Sequence, residues 1–174
     1  QTTGDMGKIE FETFDSGSAG VGAYILGEAG GSGGEVDLAF ATGLGASGGT
    51  ERMRIDSAGL VGIGTSAPLA NIDLAHATDP RIRMTRADTT VVADEALGSL
   101  QFASNDPSAG AVGASMQAKA SSAWSSNNYG AYIRFLTTAD DSGDQSERMR
   151  IDEDGNVGIG GTPTAAKLEV HGGG

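Results

Sequence analysis

Clusters of acidic side chains are the first places where this sequence could support chemistry. They comprise Asp140, Asp141 and Asp144, and then Asp152, Asp154 and Asn156. Carboxylate and amide oxygens are ligands that Ca²⁺ prefers. However, Gly155 comes fourth when Asp152 is counted first, whereas an EF-hand loop has its glycine sixth. The spacing therefore favours solvated turns and predicts no metal site.

Catalytic groups are scarce. His76 and His171 are the only side chains that ordinarily titrate near neutral pH, and neither has a Ser or Cys nucleophile in a recognisable setting. The glycine spacing from Gly59 to Gly64 is similar to that of a dinucleotide-binding loop, which is followed by a helix. Here Pro68 follows within four residues, so no such helix can form. The sequence predicts no enzyme, no catalytic residue and no cofactor.

The single tryptophan lies in a polar stretch. Trp124 is followed by Asn127, Asn128 and Tyr129. An indole among amides is a surface on which a sugar ring can stack, so these four residues are candidate contacts for a host-surface glycan. The favoured alternative is that Trp124 anchors a hairpin loop onto a neighbouring strand or subunit. The first half of the chain has only residues 30–34 at this place, which confines any glycan site to the second half.

Composition limits both the core and the partners. Among 174 residues there are 29 glycines, nine aromatic residues and no cysteine. Glycine raises the entropy cost of ordering the chain, and few large side chains are present to offset that cost, so a compact monomeric core is doubtful. A net charge of −12 argues against nucleic acid or an anionic membrane as partner. No apolar run reaches the roughly 20 residues needed for membrane insertion.

The elements that carry these residues are repeated. Residues 51–56 and 147–152 have the same sequence, Glu-Arg-Met-Arg-Ile-Asp, and the Val-Gly-Ile-Gly stretches 61–64 and 157–160 keep the same separation. Upstream likenesses continue, with small insertions in the second copy. A repeat at a fixed period indicates one structural unit laid end to end, which is typical of shafts and scaffolds.

Each copy of the motif predicts a β-hairpin. Met53 and Ile55 alternate with Arg52, Arg54 and Asp56, a turn containing glycine follows, and Val61 and Ile63 return. Alternation of period two also predicts strands around Ile9, Val36, Leu100 and Ile133, whereas Val91–Leu97 is too short for a helix. Glycine at every second position of the returning strand leaves room for another backbone or for arginine stems.

These residues resemble a known family. Glu147–Gly160 with Pro163 and 168–170, and its earlier copy Glu51–Gly64 with Pro68 and 72–74, are similar to shaft repeats of tailed-bacteriophage tail fibres, which often stand upstream of a self-cleaving intramolecular chaperone domain. The resemblance implies a homotrimeric, elongated, β-rich virion appendage that contributes to host attachment. No chaperone domain follows Gly174, so self-cleavage is not carried over.

The expected fold is all-β: an elongated homotrimeric fibre of tandem β repeats, in which hairpin or β-prism segments alternate with small sheet modules. The predicted parts are a truncated repeat at 1–76, a second repeat at 77–171 and a glycine linker or tail at 172–174. Eight apolar residues are expected to form the shared trimer core: Met53, Ile55, Val61, Ile63, Met149, Ile151, Val157 and Ile159. Eight charged residues are expected to form ion pairs between subunits: Glu51, Arg52, Arg54, Asp56, Glu147, Arg148, Arg150 and Asp152.

The predicted function is that of a structural shaft segment in a phage tail fibre or other virion appendage, extracellular once assembled. Its expected partners are two further copies, neighbouring fibre segments or other virion proteins, and in one alternative a host glycan. Three alternatives stay open. They are an adhesin that binds carbohydrate through the Trp124 loop, a polysaccharide depolymerase, and a secreted cellular filament protein.

Overall fold

The computed structural model describes residues 5–13, 20–29, 33–43, 48–105, 112–140 and 142–172. The chain divides into two compact units, Gln1–Ile82 and Arg83–Gly174, each with one six-stranded sheet. The described residues form strands, turns and loops and include no helix, and hence none suited to cross a membrane. The all-β prediction is confirmed, whereas assembly from three chains stays a prediction.

Some predicted features lie outside the described residues. Asp141 of the first acidic cluster is among them, and the expected loops at 30–34 and 104–108 are covered only in part. The same holds for the expected tail at 172–174. The repeat boundaries after residues 76 and 171 rest on sequence likeness and stay a prediction.

In the first unit the strands follow one another across the sheet in chain order. They are β1 (Asp5–Thr13), β2 (Gly20–Ala29), β3 (Val36–Thr42), β4 (Thr50–Ile55), β5 (Val61–Ile63) and β6 (Ile72–Leu74). Neighbouring strands pair antiparallel, except that β5 and β6 pair parallel. Apolar residues alternate with polar ones along β1 and β3, as expected for strands with two different faces.

The second unit repeats this order. Its strands are β7 (Ala96–Ala103), β8 (Val112–Ala120), β9 (Ala131–Thr138), β10 (Gln145–Ile151), β11 (Val157–Ile159) and β12 (Leu168–Val170). Again only the last pair, β11 and β12, is parallel. The sequence repeat therefore corresponds to two sheets of the same topology.

The predicted hairpins are confirmed at β4–β5 and β10–β11. In the first turn, the Asp56 carboxylate accepts hydrogen bonds from the backbone of Ala58 (3.0 Å) and Leu60 (2.8 Å). Asp152 accepts the equivalent bonds from Asp154 (3.0 Å) and Asn156 (2.7 Å). A short carboxylate that satisfies nearby backbone N–H groups fixes a tight turn.

The glycines of the returning strands are required by a close backbone approach. A Cβ on Gly62 would collide with the carbonyl oxygen of Thr65, and one on Gly158 would collide with that of Gly161. The chain after β5 and after β11 thus folds back directly over its own strand before the parallel strand begins. Of the two alternatives expected on the bare side, another backbone or arginine stems, the structure shows the chain's own backbone next to Gly62 and Gly158.

One glycine differs between the copies in what it faces. Met84 precedes the second sheet and packs against Gly98 in β7, where an added Cβ would lie 3.3 Å from the Met84 Cβ. Gly7 is the equivalent residue in β1, and nothing lies within 4 Å of its Cβ position.

Candidate functional site: the apolar sheet faces

One face of the first sheet carries apolar side chains on every strand. Residues directly opposite in the pairing lie on the same side of a sheet. One row across six strands consists of Ile9, Ile25, Phe40, Met53, Ile63 and Leu74. The next row consists of Gly7, Gly27, Leu38, Ile55, Val61 and Ile72. We call this side the apolar face of the first sheet.

The second sheet repeats both rows. The first consists of Leu100, Met116, Phe135, Met149, Ile159 and Val170. The second consists of Gly98, Ala118, Ile133, Ile151, Val157 and Leu168. All eight residues predicted for the trimer core therefore lie on these two apolar faces, and their burial between chains stays a prediction.

Both apolar faces are open in the single chain. Ile9 is 60% exposed and Ile72 68% in the first sheet, and Leu168 is 61% and Val170 70% exposed in the second. Most buried apolar residues of the strands instead belong to the opposite faces, and these are Leu26, Ala39, Ala41, Tyr132 and Leu136, whereas the small Ala120 is buried on the apolar side of β8. A sheet normally buries its more apolar side. The inverted burial indicates that, among the residues the structure describes, no second layer covers either apolar face within its own unit, although Met84 lies over Gly98 at one edge.

A one-residue bulge determines which face of the sheet each charged residue of the repeated motif lies on. Ala41 pairs with Glu51 and Phe40 with Met53, so Arg52 is the extra residue of β4. A bulge of this kind brings residues i and i+3 to the same side. Glu51 therefore shares a face with Arg54, and the prediction that Arg52 and Arg54 point the same way is wrong. Arg148 is the extra residue of β10 in the same manner.

The two bulge arginines lie at the margin of the apolar faces. The Nε of Arg52 donates to the Thr42 hydroxyl (3.3 Å), and the Nε of Arg148 donates to that of Thr137 (2.9 Å). By the alternation of side chains along its strand, each threonine lies on the apolar side of the sheet. Both arginines are exposed.

On the opposite face of the first sheet, Arg54 joins three carboxylates. It donates to Asp37 (2.6 Å), Glu51 (2.6 Å) and Glu28 (2.8 Å), while Arg54 and Asp37 are 9% and 8% exposed. The hydrogen bonds to Glu51 and the other carboxylates raise the pKa of the Arg54 guanidinium above its usual range. These charges are satisfied within one chain, so a bridging role for Arg54 and Glu51 between subunits stays a prediction without a contact to support it.

The second sheet surrounds its equivalent arginine differently. Arg150 pairs with Glu147 (2.6 Å) and lies over the Tyr132 ring, 4.1 Å from its centroid. Arg134 approaches Glu147 at 3.5 Å. The hydrogen bond from Arg150 lowers the pKa of Glu147. By register, Tyr132 thus stands where the first sheet has Asp37, and Arg134 stands where it has Ala39.

Asp56 and Asp152, also predicted to pair between subunits, hold their own turns through the bonds described above. This accounts for both carboxylates without a second chain. In the part of the chain that the structure describes, no three His, Cys, Asp or Glu residues converge as ligands for a metal ion.

The Trp124 loop joins β8 to β9. The indole Nε1 donates to the Gly130 carbonyl (3.1 Å), and the Trp124 backbone N–H donates to Val91 (2.9 Å). Tyr129 meets the indole edge-on at 5.5 Å and donates its hydroxyl to the Ser126 carbonyl. Trp124 therefore anchors the loop to the segment before β7. Asn128 bonds to Ser122 and the Ala123 carbonyl within the loop.

No protein-family model matches this sequence, and no curated protein matches it. Two solved structures are similar to the chain. One is the carboxy-terminal domain of the bacteriophage T5 L-shaped tail fibre with its intramolecular chaperone domain, at 13% identity and a TM-score of 0.43, over 94% of this chain and 56% of that chain. The other is the same T5 fibre domain, at 11% identity and a TM-score of 0.41, over 94% of this chain and 82% of that chain. The chain thus spans about half the length of the first.

Proposed function

We propose that this protein is a structural shaft segment of a trimeric tail fibre or similar appendage of a tailed bacteriophage. In this role it spaces and orients a receptor-binding element, as part of the virion and outside the cell once assembled. The observation that carries the proposal is the pair of apolar faces, one on each sheet, with the same rows of residues and, in the described part of the chain, no second layer over either face within its unit.

Further copies of the same chain are the covering layer that fits best. A sheet with one apolar face needs a second layer to exclude water from it. Because the two faces have matching rows on six strands, the same packing between chains can cover the apolar face of each unit. The corresponding face of another copy also has the right width to do so. Rotational symmetry closes such an assembly without leaving a face open. The number three comes from the resemblance to tail-fibre shaft repeats.

Small residues assist this packing. Gly7 and Gly27 begin the second row of the first face, and Ala118 lies in that of the second, beside Gly98, which Met84 of the same chain already covers. Short side chains allow neighbouring elements to approach closely. The large side chains lie further along the rows, on β3 to β5 and on β9 to β11. Chains that pack their faces together would bury Ile55, Ile151 and their neighbours centrally.

The bulge arginines suit the rim of this interface. Arg52 and Arg148 are exposed beside the apolar faces, whereas Arg54 and Arg150 are engaged on the opposite sides. Rim charges favour correct docking more than they add affinity. We therefore assign ion pairs between subunits to Arg52 and Arg148.

The test replaces Ile151 by Asp. A carboxylate without a partner in an apolar interface costs several kcal/mol per chain, so we expect loss of the trimer. Ala58→Asp is the matched control, because it adds the same charge at an exposed turn position whose equivalent in the second copy is naturally Asp154. Light scattering coupled to size-exclusion chromatography should give three chain masses for the wild type and Ala58→Asp, and less for Ile151→Asp.

Two outcomes would contradict the proposal. One is a wild-type protein with the mass of a single chain and a full thermal transition at low concentration. The other is an Ile151→Asp variant that keeps the wild-type mass. Negative-stain images of the wild type should show rods of uniform width.

A further inference from the structure

A cleft in the second unit lies between the segment that precedes β7 and the Trp124 loop. Its volume is about 390 Å³. Sites for small molecules usually measure about 300–1,000 Å³ and combine apolar walls with a few convergent polar groups. The lining residues that matter here are Arg83, Arg86, Asp88, Val91, Trp124 and Tyr129. This cleft is no part of the apolar rows on which the shaft proposal rests.

One wall of the cleft is aromatic and fixed in place. Trp124 is held by its two hydrogen bonds, to Gly130 and to Val91, and by the edge-on contact with Tyr129. Tyr129 is 62% exposed, whereas Val91 is buried at the base. A ring that is already ordered loses little further entropy when a ligand stacks on it. The wall is therefore ready to receive a flat apolar surface.

The lining of the cleft also includes a paired carboxylate and guanidinium. Arg86 donates to Asp88 (2.8 Å), to Glu95 (2.8 Å) and to the Ala96 carbonyl (3.2 Å). Asp88 also accepts from the backbone of Thr90 (2.9 Å), and its side chain stays 40% exposed. An ionised carboxylate has about four acceptor positions. Asp88 can therefore accept from a ligand hydroxyl as well as from its protein partners.

The charges around the cleft balance. Arg83 and Arg86 are matched by Asp88 and by Glu95, which pairs with Arg86. A balanced site gives no advantage to a charged ligand, because neither sign is favoured. Hydroxyl groups suit it well, since a hydroxyl both donates to a carboxylate and accepts from a guanidinium.

We propose that this cleft binds a neutral pyranose sugar. The C–H face of the ring stacks on Trp124, and two adjacent hydroxyls meet Asp88 and Arg86. Of the four glycan contacts predicted from the sequence, Trp124 and Tyr129 line the cleft, whereas Asn127 and Asn128 do not. The sequence did not reveal Asp88 and Arg86, because they lie far from Trp124 along the chain.

The experiment is saturation-transfer NMR on the full chain with neutral hexoses and, for comparison, a uronic acid. We expect saturation of the C–H protons on one face of a neutral hexose. Asp88→Asn should weaken binding at least about tenfold, since hydrogen bonds to a charged group are strong. Asp154→Asn is the control, because it removes an exposed carboxylate in the same unit that does not line the cleft.

Two tryptophan variants separate stacking from anchoring. Trp124→Ala should abolish binding, whereas Trp124→Phe keeps an aromatic face without the indole donor and should bind within a few-fold of wild type. The proposal is overturned if no neutral hexose gives a signal at millimolar concentration, if only the uronic acid binds, or if Asp88→Asn binds as wild type. The mass of each sample is measured in parallel, so failure of the trimer and failure of the sugar site are told apart.

Discussion

Replacing Arg54 by methionine tests how much one buried guanidinium stabilises the first sheet. Methionine keeps an apolar stem of similar length but removes every hydrogen bond to Asp37, Glu51 and Glu28. Three carboxylates are then left close together, and Asp37 is only 8% exposed. Removing one partner of a buried ion pair typically costs about 3–5 kcal/mol.

The second sheet supplies the matched comparison. Arg150→Met leaves Glu147 with Arg134 still 3.5 Å away, and it also removes the contact with the Tyr132 ring. Since the remaining carboxylate keeps a cation, we expect a smaller loss of about 1–3 kcal/mol. Urea unfolding at one fixed chain concentration measures both losses, because the proposed assembly would make stability depend on concentration.

The reasoning is refuted if Arg54→Met costs under about 1 kcal/mol at neutral pH, or no more than Arg150→Met.

Two further predictions follow. Gly158→Ala should destabilise the protein by about 1–3 kcal/mol, because the added Cβ would be overpacked against the Gly161 carbonyl. Gly113→Ala is the control and should be tolerated, because its Cβ would lie an ordinary 3.7 Å from the Phe102 carbonyl oxygen. Equal thermal midpoints for the two variants would contradict this prediction. Backbone hydrogen bonds from Ala165, Ala166 and Thr164 lower the pKa of Glu169 to about 2. The ionised Glu169 side chain therefore contributes to folding stability above its unfolded-state pKa, and this stabilisation is lost as the pH falls towards 2. Glu169→Gln should flatten that acid limb, and an NMR titration of Glu169 with its midpoint near 4.5 would contradict the assignment.

Strands with strong alternation could be predicted from the sequence. The pattern around Ile9, Val36, Leu100 and Ile133 gave β1, β3, β7 and β9, and the repeated motif gave both hairpins. Strands β2 and β8 were not predicted individually, because small residues such as Gly22, Ala23 and Ala114 give little contrast between faces.

Other features depend on pairing that sequence does not display. The bulges at Arg52 and Arg148 were missed, because every apolar residue of β4 and β10 follows the extra residue, so no break in the apolar alternation is visible. The parallel pairing of β5 with β6 likewise depends on how residues 64–71 fold back. The eight core candidates all lie on one kind of face, but the full rows, including Ile25 and Met116, required the pairing of every strand.

Met84 has a consequence for what β7 can accommodate. Its side chain lies over Gly98, where an added Cβ would come within 3.3 Å of the Met84 Cβ. A larger residue at position 98 would therefore have to displace the segment that carries Met84, so the sheet edge and this segment are mechanically linked.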